Sequence, residues 1–141
     1  MTTTATPRLI TWSDQYSVGI ASIDTEHQKL VELINTLHAA MMAGTAKDAV
    51  IKTLESLASY TVTHFSREES LMQQHGFRGY ANHKAEHEKL VSRLNDLRRD
   101  VRGGKLAASL DVMTFLKRWL LEHIAGSDQK YSSHLQSCGV R

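Results

Sequence analysis

The segment VIKTLESLASYTVTHFSREESL, residues 50–71, decides how the chain folds. Val50, Leu54, Leu57, Thr61, His64, Glu68 and Leu71 step by three or four residues, the spacing of one face of an α-helix. The stripe begins as ordinary core and then places an imidazole and a carboxylate where leucines belong. Burying a polar group without a partner costs roughly 2–7 kcal/mol. A helix with this stripe therefore belongs in a core that holds something able to bind those groups.

Three further stripes flank it. Ile23, His27, Leu30, Ile34, Leu37 and Met41 form one. His83, His87, Leu90, Leu94, Leu97 and Val101 form another, and Val112, Leu116, Trp119 with Leu120, and His123 form the last. Gly44-Thr45, His75-Gly76-Phe77-Arg78-Gly79 and Gly103-Gly104 separate the four segments. Short glycine-containing links favour antiparallel neighbours. The expected fold is all-α: an up-down-up-down antiparallel four-helix bundle. A Thr-rich lead-in with the only proline, Pro7, forms an extended N-terminal arm over residues 1–11. The bundle is expected over residues 12–135 and a C-terminal tail over 136–141.

In an antiparallel pair, residues equidistant from the turn lie at one height. The midpoint of His27 and His64 falls beside Gly44-Thr45. The pairs His64/Glu68 and His83/His87 are centred on residues 66 and 85, so their midpoint falls at His75-Gly76. The pair His83/His87 and His123 are centred about Gly104. Each midpoint is a turn already marked by glycine, so these residues share one layer. At 100° per residue, positions i and i+4 differ by about 40°, and both pairs can face one centre. Asp128 fits less well. It lies five residues after His123, about 140° round an ideal helix, and needs a local distortion for which Gly126 offers a place.

His38 points nearly the same way as His27 but lies about 16 Å further along the helix. It reads as a partly buried packing residue. His75 reads as an exposed loop residue, and His134 as lying beyond the layer near a fraying end. Glu26, Glu86 and Glu122 each precede a histidine of the layer and are expected to face solvent, because adjacent helix positions do not share a face. Asp24 reads as a helix cap, with a role behind a ligand as the alternative. Arg93, Arg98, Arg99, Arg102 and Lys105 read as a solvated face with favourable charge near a helix C-terminus.

Hydrophobic residues make up 41% and charged residues 23%, the balance of a globular domain, and 141 residues suit a single core. A net charge of +2 gives no ground for expecting nucleic acid or a membrane surface as partner. No segment approaches the roughly 20 apolar residues of a membrane span, and the N-terminus lacks the pattern of a secretory signal. The single cysteine, Cys138, reads as an exposed tail thiol and rules out an intrachain disulfide. The expected location is the cytoplasm and the expected state a monomer, with no protein partner indicated.

Five imidazoles and two carboxylates exceed what one structural zinc takes. They suit two iron ions, with carboxylates spanning both and a bridging oxo or hydroxo group, which leaves one coordination position open. Two Fe(II), two carboxylates and one hydroxide carry a net charge of about +1, tolerable in an apolar bundle. Ferritin-like oxidases use four carboxylates, two histidines and Glu-x-x-His motifs. This chain has no Glu three residues before any of the five histidines, and its nitrogen-rich set favours binding O2 over activating it.

The chain resembles the bacterial hemerythrins. The resemblance lies in Trp12, Gly19-Ile20, Ile23-Asp24-Thr25-Glu26-His27, His64-Phe65-Ser66-Arg67-Glu68-Glu69 with Met72, His83-Lys84-Ala85-Glu86-His87, Trp119-Leu120, His123-Ile124, Asp128 and Tyr131. It implies that His83, His87 and His123 hold one iron, and His27 and His64 the other, which keeps the open site. It implies that Glu68 and Asp128 bridge the irons, and that Leu120, Phe65, Trp119 and Ile124 wall a pocket for O2. The implied function is reversible O2 binding at a non-haem di-iron centre, as carrier, store or sensor, without enzymatic activity. The alternatives are a di-iron enzyme acting on peroxide or nitric oxide, an iron-repair protein, or a regulatory module. The family commonly has a proline after the second helix, where Phe77 is here followed by Arg78.

Overall fold

A computed structural model describes residues 9–43, 47–104 and 106–141, with backbone alone for 106–112. After a single 3-10 turn, Asp14–Tyr16, the helices are α1 (Ala21–Met42), α2 (Lys47–Gln74), α3 (Tyr80–Arg102) and α4 (Leu106–Glu122). A π-helical turn, His123–Asp128, carries α4 into α5 (Gln129–Ser137). The flanking residues Glu122 and Gln129 keep right-handed helical angles, so α4, the π turn and α5 form one rod. α1 packs on α2 and α4, and α3 packs on α2 and α4, which closes the four-helix bundle. No helix among the described residues is long and apolar enough to cross a membrane.

The stripes face inward with one shift. Beyond Glu68 the buried residue of α2 is Met72, while Leu71 is only half-buried. The Val112 side chain and the Gly44-Thr45 turn lie outside what is described. At the end of α2, the Phe77 N–H reaches back to the Met72 carbonyl at 2.9 Å, and Gly76 takes a φ of +67°. This is a helix stop that glycine makes without a Cβ penalty.

The lead-in packs alongside α1. Ile10, Val18 and Ile20 are buried, and the Asn35 side chain pairs with both the N–H and the carbonyl of Ile10 at 2.8 Å. Asp24 is not a cap, since Ile20 occupies that position. Its carboxylate instead accepts from the Val18 N–H at 2.8 Å and from the Ser17 hydroxyl, fixing how the chain enters α1. Gly19 has a φ of +75°, and a Cβ there would sit 2.1 Å from Gln136 Nε2, so α5 is packed directly on this loop.

The basic group is more than a solvated face. Arg98 clasps Glu55 of α2 through Nε at 3.1 Å and Nη2 at 2.6 Å, Arg102 joins the same carboxylate, and Arg93 lies 5.2 Å from the Phe115 ring of α4. Lys105 lies outside the described residues.

Candidate metal centre

His27 projects from α1, His64 and Glu68 from α2, His83 and His87 from α3, and His123 and Asp128 from the two ends of the π turn. The structure brings all seven into one layer of the bundle, none more than 4% exposed. Their donor atoms fall into two overlapping clusters: Glu68, His83, His87, His123 and Asp128, and His27, His64 and Glu68. The π turn solves the geometry of Asp128. Its i→i+5 hydrogen bonding widens the helix so that residues five apart lie on one side. Gly126 is not the steric cause, because a Cβ there would meet nothing within 4 Å.

Glu68 Oε1 lies 3.2 Å from both His64 Nε2 and His87 Nε2, and Oε2 lies 3.3 Å from His27 Nε2. Asp128 Oδ1 lies 2.9 Å from His83 Nε2 and 3.0 Å from His123 Nε2, and Oδ2 lies 3.1 Å from His27 Nε2. Each carboxylate therefore touches both histidine groups. With bonds of about 2.1 Å, neighbouring ligands on an octahedron are about 3.0 Å apart, which is the separation found here.

Several of these atoms have no hydrogen-bond partner. They are Nε2 of His83, His87 and His123, Oε1 of Glu68 and both oxygens of Asp128. Buried polar atoms left so cost free energy unless a further group binds them, so the donor set fits metal ions at the centre of the layer. The electrostatics agree. Burial opposes a charge on His27, but Asp128 and Glu68 outweigh it and lift its pKa to about 10. In the same way burial opposes a charge on His64, and Glu68 and Glu26 raise it to about 9. Burial likewise opposes the charged carboxylates, yet the imidazoles hold Glu68 and Asp128 well below the usual range. Two dry carboxylates demand positive charge, which protons or metal ions can supply. Tyr131 donates its hydroxyl to Glu68, and burial with that carboxylate raises its pKa well above the ordinary phenol value.

Glu26 and Glu86 do not face solvent freely. Glu26 Oε1 accepts from His64 Nδ1 at 2.6 Å, and Glu86 lies 3.6 Å from His123 Nδ1 while accepting from the Ser127 hydroxyl at 2.8 Å. Glu69 accepts from His87 Nδ1 at 2.9 Å. Only Glu122 is exposed as expected. The sequence places each of these residues beside a residue of the layer but does not say which helix stands next to it. A residue beside a ligand turns 100° away from its own centre, and in a bundle that direction can point at a neighbouring helix, as it does for Glu26, Glu69 and Glu86, or at water, as it does for Glu122. The expectation of solvent treated each helix as isolated.

Phe65 stacks on His87 at 3.7 Å between centroids, and Trp119 stacks on His123 at 4.4 Å. Both rings thus press on imidazoles of the three-histidine group. Leu120 and Ile124 are buried, Leu120 one turn before His123 on the same side of the rod. His38 is half-buried and His75 is half-buried in its turn. His134 is not at a frayed end: its Nε2 donates to the His75 carbonyl at 2.6 Å, tying α5 to the α2–α3 turn. Cys138 is exposed.

Comparison with known proteins gives a consistent picture. The model of the hemerythrin HHE cation binding domain matches residues 18–135. A bacteriohemerythrin of Stenotrophomonas maltophilia is 34% identical, the match covering 92% of this chain and 83% of that one. A bacteriohemerythrin of Methylococcus capsulatus is 32% identical over 92% of this chain and 98% of its own. A crystal structure of wild-type hemerythrin superposes with a TM-score of 0.83 at 33% identity, covering 90% of this chain and 98% of that one.

Proposed function

The chain belongs to the hemerythrin family, and from that premise we propose that it binds O2 reversibly at a non-haem di-iron centre, as a carrier, store or sensor. The observation that carries this reading is the convergence of five buried imidazoles and two buried carboxylates, with most of their inward atoms unsatisfied by the protein itself. His83, His87 and His123 would hold one iron, and His27 and His64 the other. Glu68 and Asp128, each with atoms near both histidine groups, would be shared between the two irons, with an oxo or hydroxo group beside them. When bound, the iron pair supplies electrons that can be lent to O2 and taken back.

The chain's own residues do the rest. Tyr131 holds its proton and fixes Glu68 by donating to it. Phe65 and Trp119 lock the His87 and His123 rings by stacking and, with Leu120 and Ile124, give the centre an apolar wall that keeps water out. The nitrogen-rich set of five imidazoles to two carboxylates supports a binding protein over an enzyme. The exposed thiol of Cys138 suits a reducing compartment, and the cytoplasm is the proposed location.

The test is the visible spectrum of iron-loaded, reduced protein taken into air and then into vacuum, with metal analysis alongside. The expected result is two irons per chain and a band that appears in air and disappears in vacuum. Immediate irreversible oxidation selects the enzymatic or iron-repair alternative, and one zinc per chain overturns the di-iron assignment.

A further inference from the structure

Resting on the iron assignment proposed above, the geometry points to Glu26 and Arg67 as a positioning pair that sets how strongly His64 donates to the two-histidine iron. The pair thereby sets how readily that iron gives electron density to O2. The order and direction of the helices set where these carboxylates point. Glu26 precedes His27, Glu69 follows Glu68 and Glu86 precedes His87, on helices that alternate in direction. One step back on an ascending helix and one step forward on a descending helix rotate the same way about the bundle. Glu26 of α1 therefore reaches His64 Nδ1 at 2.6 Å and Glu69 of α2 reaches His87 Nδ1 at 2.9 Å, while Glu86 of α3 is directed at His123 but stops 3.6 Å from its Nδ1.

At one place the ring has no carboxylate at all. The position on the fourth rod that obeys the same rule is Ile124, which is fully buried and apolar. His27 Nδ1, the atom such a carboxylate would serve, is buried without a partner. Among the described residues Glu26 is thus the one carboxylate behind the two-histidine group, while the three-histidine group has Glu69 bonded to His87 and Glu86 standing 3.6 Å from His123.

Glu26 also differs in its second oxygen. Arg67 Nε lies 2.8 Å from Glu26 Oε2, with Arg67 49% and Glu26 18% exposed. Of the three backing carboxylates it alone pairs with a cation among the described residues. A carboxylate that accepts an Nδ1–H raises the donor strength of the ring's other nitrogen. A guanidinium on the same carboxylate draws charge away and weakens that effect. Glu26 and Arg67 therefore act on the iron with opposite signs, through one imidazole.

The experiment compares Glu26→Gln and Arg67→Met in the full chain loaded with iron, reading iron content, reduction potential and O2 half-saturation. Glu26→Gln keeps an acceptor for Nδ1–H but removes its charge. It should raise the potential by about 59 mV for a one-electron couple, the equivalent of roughly tenfold in equilibrium, and weaken O2 binding by a similar factor. Arg67→Met should move both readings the other way by a few-fold, since solvent screens an exposed pair. Arg67→Lys should restore most of the original potential. The double variant should behave as Glu26→Gln alone. A merely structural salt bridge would shift both single variants in one direction with loss of iron, and that result overturns the proposal. If Glu26→Gln fails to hold iron, Arg67→Met decides, because every ligand and Glu26 remain: an unchanged potential overturns the proposal. The potential is read without O2, so failure of reversible O2 binding and failure of this inference remain distinguishable.

Discussion

His27 and His38 lie on the same side of α1, yet only His27 reaches the layer, because three helical turns separate them. That difference gives a sharp test. His123→Ala removes one of three imidazoles from the proposed three-histidine iron and should cut iron affinity by roughly 10–100-fold or more, the range seen when even supporting residues are lost. His38→Ala should leave iron content unchanged. Metal analysis after dialysis against excess Fe(II) reads both, and equal losses would count against the layer as drawn. The inward residues were legible because period and polarity conflict at those positions. The outer partners Glu26, Glu69 and Glu86 were not, because their roles depend on which helix stands next to them.

The π turn is the element on which the site depends. An α-helical path from His123 would carry Asp128 about 140° away; the wider turn returns it beside His123 Nε2, at 3.0 Å. Inserting one alanine after Gly126 swings Asp128 by about 100° and should lower iron content steeply while the helical circular dichroism stays the same. Deleting Gly126 leaves an His-x-x-x-Asp pair on a plain α-helix, the spacing of His64 and Glu68, and should lower it far less. Similar losses from both changes would show that the π turn itself, and not the direction of Asp128, matters. The sequence showed that a straight helix fails here, but not the form of the distortion. Hydrogen-bond register within a helix is settled by what both of its ends pack against, and α5 is held by Gln136 on Val18 and by His134 on the His75 carbonyl.

For the whole molecule, the layer is a charged slab in the middle of an apolar core. Without metal, His27 and His64, with pKa values of about 10 and 9, carry protons at neutral pH. Both values are raised above the unfolded 6.5. Their stabilisation of metal-free protein is therefore complete below pH 6.5 and is lost as pH rises through 9 to 10. Iron must displace these protons. Adding Fe(II) anaerobically at pH 7.5 should release acid in a pH-stat, and the release should fade as the starting pH approaches about 10. Stripping iron with a chelator should lower the melting temperature by about 2–4 °C for each kcal/mol of lost ligand binding, most severely at alkaline pH. Uptake of iron without proton release would refute this account of the core.

By itself the sequence determined the helical period, the antiparallel order and the layer in which the polar core residues lie. All three follow from local spacing and from turns that glycine marks. Tertiary structure alone decided which carboxylates stand behind which imidazoles, how Asp128 turns inward, and that Asp24, Asn35 and Gln136 lock the lead-in onto the bundle. Those choices depend on the rotation of each helix against its neighbours. That rotation is set by side-chain packing across the bundle, and no single segment contains it.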